Sequence, residues 1–152
     1  MSVRAIQFLA IIVTALALIP SGAHLAALPN KIGMPQDEYF TVQAIYSGWA
    51  ILGWLWPIAL VANGVLAILV RSQPWPFRFA VLATLCFGLM FVVFLLWTFP
   101  ANQVTANWTT VPENWETLRQ QWEYSHAVNT AIVFLAVCFS LLSALSWRPS
   151  GR

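Results

Sequence analysis

The chain has 152 residues, 60% of them hydrophobic and 8% charged, with a net charge of +2. Soluble domains carry about a quarter charged residues, so this composition excludes a water-bathed globular surface and makes lipid the solvent. The small positive excess gives no argument for nucleic acid as a partner, and no basic run, Cys-x-x-Cys pair or Gly-rich phosphate loop occurs. One integral membrane domain spanning 1–152 is expected. Cys86 and Cys138 both sit inside apolar runs and read as small buried hydrophobes.

The first apolar run, about 5–28, follows Arg4 and is longer than a signal-peptide core of about 7–15 residues. Pro20 is expected to kink it. Pro29 opens a turn-rich loop. A second helix is predicted from Pro35 to Val70, with Asp37 and Glu38 in its first turn facing the positive helix end. At about 1.5 Å per residue it exceeds a hydrocarbon core of about 30 Å, so only 42–70 would cross. Gly53 and Pro57 permit a bend, and Asn63, deep in the span, needs a partner on another helix. Arg71–Arg78 is a short connector. The third helix is predicted over 77–99, stopped by Pro100. A polar loop follows, carrying the formal glycosylation sequon Asn107-Trp-Thr109. Thr110-Val-Pro-Glu113 has the pattern of a capping box, and from it a fourth helix runs to Trp147, crossing over about 124–147.

The expected fold is therefore all-α: a transmembrane four-helix bundle, up-down-up-down, with helices two and four extended beyond the outer membrane face. Four crossings put Arg4, Arg71, Arg78, Arg148 and Arg152 on one side. All five acids, Asp37, Glu38, Glu113, Glu116 and Glu123, fall on the other with Lys31 and Arg119. The positive-inside rule makes both termini cytoplasmic and the polar loops periplasmic or extracellular. Trp75 and Trp147 would mark the inner interface, and Trp49, Trp97 and Trp122 the outer one.

This topology brings His24 and His126, about a hundred residues apart, to similar outer depth. On the fourth helix Glu116, Arg119, Glu123 and His126 step by three, four and three, which keeps them on one stripe. Glu116 and Glu123 would each reach Arg119, and Glu123 would reach His126, fixing its tautomer and raising its basicity. Tyr39, Gln43 and Tyr46 share a face of helix two and would wall the same cavity, with Trp122 beside them and Asn102 closing the fourth side. Gly48, Gly53, Gly64 and Gly88 would permit close packing with partner helices. His24 and His126 could ligate a noncovalent haem b or, with Glu123, a metal ion.

Ala23-His24-Leu25, Leu28-Pro-Asn-Lys-Ile32, Tyr39-Phe-Thr-Val-Gln43, Pro100-Ala-Asn102 and the Trp115–His126 stretch resemble the anthrone-oxygenase-like family of small four-helix membrane proteins. Asn102, Arg119, Trp122 and His126 match the family pattern, and His24 matches it less closely. The resemblance implies oxidation of a polycyclic phenol by dioxygen without metal or flavin. The expected function is an oxidoreductase or oxygenase acting on a lipophilic phenol- or quinone-like molecule, with His126, Glu123, Arg119 and Asn102 catalytic and Tyr39, Gln43, Tyr46 and Trp122 binding substrate. The alternatives are a bis-histidine haem or metal protein and an accessory subunit of a larger membrane complex. The partners are the lipid bilayer and a lipophilic small molecule, with a homo-oligomer left open.

Overall fold

The computed structural model describes residues 2–149, so Arg152 lies outside the described residues. These residues form α1 (Val3–Lys31), α2 (Gln36–Gln43), 3-10 turns at Ala44–Tyr46 and Trp49–Trp54, and α3 (Leu55–Val70). Then follow α4 (Pro74–Val93), a π turn at Phe94–Thr98, α5 (Phe99–Val104) and α6 (Trp115–Ser146). No strand occurs among the described residues. Four stretches are long and apolar enough to cross a membrane: Val3–Lys31, Trp49–Val70, Pro74–Val104 and Trp115–Ser146. They close a ring in which α1 packs on α3 and α6, and α4 packs on α3 and α6.

Between lipid-facing helices hydrophobicity gives little drive, so small residues that let backbones approach do the packing. Ala10, Ala17, Ala59, Ala80, Ala83 and Ala136 are all fully buried. Within the bundle alanines fill this role: a Cβ added at Gly48, Gly53 or Gly88 would meet nothing within 4 Å, and one at Gly64 would reach the Thr84 methyl at 4.0 Å. Phe8, Ile19, Ile51, Leu85 and Leu145 point outward, as side chains solvated by lipid do. Deep in the bundle Asn63 finds the partners it needs. Its amide Nδ2 donates to Thr14 Oγ1 (2.9 Å), and its Oδ1 accepts from Ser140 Oγ (2.7 Å), tying α3 to α1 and α6.

Several boundaries differ from the sequence reading, each for a local reason. The second helix is not continuous over 35–70. Ser47 (φ −57°, ψ 128°) and Gly48 (φ 83°, ψ −10°) make a type II turn, and glycine supplies the positive φ. Pro29 does not open the loop: α1 continues through Pro29 to Lys31, giving up one backbone hydrogen bond there as it does at Pro20. Pro100 does not stop its helix either. The chain widens into the π turn just before it, with the Phe99 N–H donating to the Phe94 carbonyl, and Gln121 Nε2 donates to the Trp97 carbonyl (2.8 Å). The capping box at Thr110–Glu113 does not form: α6 starts at Trp115 behind Asn114, with no side-chain cap.

Replacing Asn63 with Leu, of similar size, removes both interhelical bonds and leaves Ser140 and Thr14 seeking partners. The variant should lose about 1–2 kcal/mol, read as a lower melting temperature in mild detergent. Unchanged melting would show that this network does not hold the bundle.

Candidate functional site

The site forms where α1 ends and α6 begins. Helical spacing puts His24 and Lys31, seven residues apart, on one buried face of α1, and Trp122, Glu123 and His126 on the facing side of α6. The two imidazoles stack, with ring centroids 4.1 Å apart and planes inclined by 28°. Trp122 stands edge-on to both, 4.3 Å from His126 and 4.9 Å from His24. Tyr46 lies 4.3 Å from His24. Behind them Thr130 Oγ1 donates to the Ser21 carbonyl (2.6 Å), which joins α6 to α1 one turn deeper than the rings.

Glu123 does not orient His126, as the stripe on α6 suggested. It is fully buried and pairs with Lys31, whose Nζ lies 2.8 Å from Oε1. That nitrogen sits off the line of a directed hydrogen bond, so charge carries the contact. The Tyr39 hydroxyl donates to the same oxygen (3.0 Å) and accepts from Gln43 Nε2 (2.7 Å). The Lys31 ammonium also lies over the rings of Tyr46 (4.6 Å) and Trp122 (5.0 Å). Removing two charges from water is costly, and mutual attraction together with further hydrogen bonds must offset it. Here one carboxylate oxygen takes both contacts.

Arg119 likewise makes neither of its expected ion pairs with Glu116 and Glu123. Its Nη1 donates to the Met34 carbonyl (2.6 Å), and its guanidinium lies over Trp115 (4.6 Å) and Tyr39 (5.4 Å). The reason is common to both corrections. Lys31 at the end of α1, the Met34 carbonyl, and Tyr39 and Phe40 of α2 reach the first turns of α6, so groups distant in sequence displace the i, i+3 and i, i+4 neighbours. Trp122 is correspondingly not an interfacial anchor. It is buried, and its Nε1 donates to Asn102 Oδ1 (2.8 Å).

A cavity of about 650 Å³ opens in front of the imidazoles. His24, His126, Trp122, Asn102, Gln43 and Tyr46 line it, whereas Tyr39, Glu123 and Arg119 stand behind its wall. Trp49, Trp56, Phe94 and Trp108 complete the aromatic lining. Trp108 closes a run of three left-handed residues, Ala106 (φ 47°), Asn107 (φ 56°) and Trp108 (φ 65°). For residues with a Cβ this backbone costs roughly 1–2 kcal/mol each. It sets the Trp108 ring against Tyr39, Phe40 and Trp122. Sequence reasoning gave Lys31 no partner and missed Trp108. The seven-residue step from His24 pointed to the first, and nothing local pointed to the second.

The histidines do not fit bis-axial haem ligation, which places the macrocycle between two rings; stacked rings in contact leave no room for one. Among the described residues no group of three His, Cys, Asp or Glu side chains is placed to hold a metal ion. No family model, curated protein or solved structure matches the chain.

Lys31→Met leaves the buried Glu123 carboxylate unpaired and should cost about 3–5 kcal/mol, while Lys31→Met with Glu123→Gln should regain most of it. Equal melting temperatures for the two variants would contradict a buried ion pair. Burial, and then the Glu123 charge, push the Tyr39 hydroxyl's pKa far above the usual tyrosine value. A raised folded-state value means that ionisation favours the unfolded chain. The stability Tyr39 contributes is thus present below about pH 10 and is lost as pH rises beyond it. Tyr39→Phe should flatten the alkaline fall in melting temperature, and an unaltered alkaline limb would contradict this.

Proposed function

We propose that this chain is a membrane-embedded oxidoreductase of the oxygenase type, acting on a lipophilic phenol- or quinone-like aromatic. The observation that carries this reading is the stacked imidazole pair facing an aromatic-lined cavity in a bundle whose outer faces are apolar. Ligand pockets of a few hundred Å³ lined by aromatic groups with few polar atoms are suited to such molecules. The arginine distribution supports termini on the cytoplasmic side, and with that orientation the cavity would open toward the outer leaflet. In that orientation the first turns of α6 and the α2 segment stand beyond the hydrocarbon core. The resemblance to anthrone-oxygenase-like proteins agrees with this reading.

In the reaction we propose, a ring nitrogen of the His24–His126 pair accepts the phenolic proton. Charge spreads onto a ring carbon that bears hydrogen, dioxygen adds there, the imidazolium returns its proton to the peroxide, and loss of water from the resulting hydroperoxide leaves a carbonyl. Asn102 holds Trp122 in place as part of the wall. Arg119, Glu123 and Tyr39 act through the wall: they fix α2 and α6 and do not touch substrate.

Proteoliposomes given a tricyclic phenol precursor such as anthrone should consume oxygen. His126→Ala and His24→Ala should each lower turnover at least about a hundredfold, the usual scale of a lost general base, with melting preserved. Full turnover in both variants would end the assignment.

A further inference from the structure

No charged side chain lines the cavity among the described residues. The titratable groups facing it are His24 from α1, Tyr46 from the α2 segment and His126 from α6; the neutral polar side chains include Gln43, Thr98 and Asn102, with Ser21, Ser47, Asn107 and Thr109. None is an acid. Three charges, however, sit just behind the wall: Lys31, Glu123 and Arg119, none more than 7% exposed. Two cations and one anion sum to +1.

Their arrangement is directional. The Lys31 ammonium lies against Tyr46 and Trp122, two rings that line the cavity. The carboxylate is tied to Tyr39, which does not reach it. The ion pair therefore presents its positive end to the cavity across one thickness of aromatic ring. Arg119 adds a second cation with no carboxylate partner among the described residues. The carbonyl end of α1 offsets roughly half a charge, which leaves an excess. With protein rather than water between these charges and the cavity, their field is only weakly screened.

We propose that the cavity takes its ligand as an anion: a lipophilic phenol or enol that ionises on binding. Its ring lies along Trp122 and Tyr46, and its oxygen lies beside the imidazole pair. The proton passes from the O–H to a histidine ring nitrogen or to solvent, and no bond to carbon changes. This rests on the reading of the cavity as a phenol pocket and adds which protonation state it selects.

The test uses alizarin (1,2-dihydroxyanthraquinone), whose phenol and phenolate forms differ in colour, with the full-length protein in mild detergent and protein-free micelles as reference. Bound dye should ionise at least one pH unit lower than dye in micelles, a tenfold larger ionisation constant. Glu123→Gln, which removes the negative end and keeps Lys31, should widen that gap. Lys31→Met with Glu123→Gln, which removes both charges, should narrow it. Bound dye that titrates at or above the micelle value, or variants that move the titration in the same direction, would overturn the anion proposal while leaving the pocket intact. Dye no more retained than by micelles alone would overturn the pocket reading with it.

Discussion

A lysine and a glutamate that meet away from water hold this molecule's polar end together. Lys31 ends α1, Glu123 lies two turns into α6, and Tyr39 of α2 binds the same carboxylate oxygen. Two consecutive elements and a third 84 residues beyond Tyr39 converge on one atom. Such a contact contributes little net stability compared with an apolar packing of the same volume, but it is costly to half-break. It acts as a register pin. With Lys31 opposite Glu123, the residue seven positions before the one and the residue three positions after the other come face to face, and these are His24 and His126.

The aromatic rings around the pair follow from the same register. Trp122 precedes Glu123 and turns toward the opposite side of the helix crossing, where Asn102 takes its indole hydrogen. The type II turn at Ser47–Gly48 leads into the second crossing, just where Tyr46 and Trp49 lean toward His24. The π turn before Pro100 serves the opposite wall, and π turns recur at functional sites. Irregular backbone inside a membrane protein is tolerated where it lines a cavity or is buried in protein. Here the turns at 47–48 and 106–108 both border the cavity.

The four apolar runs were legible because lipid solvation demands about twenty apolar residues per crossing. The need of Asn63 for a partner was legible for a related reason, since a buried amide must be satisfied. The shared depth of His24 and His126 followed from counting crossings. The partner of Glu123 was not legible, because helical spacing offers Arg119 and His126 while the fold supplies Lys31 from the far end of another helix. Reading Pro29 as the start of a loop hid Lys31. Pro100 misled in the same way, since a proline's missing donor can be absorbed by a wider turn as well as by a helix end.

The proposed site stands on two imidazoles in contact. The chain contains only two histidines, so histidine labelling creates a single pair of rings. Solid-state NMR of protein labelled only with ¹³C,¹⁵N-histidine, reconstituted in lipid, should show through-space ¹³C–¹³C transfer between the rings of His24 and His126. Loss of that cross-peak in the His24→Ala protein would assign it. If the wild-type spectra contain only intra-residue peaks at mixing times that reach about 5 Å, a range chosen to cover ring contacts of this kind, the rings are apart and the proposed site does not exist.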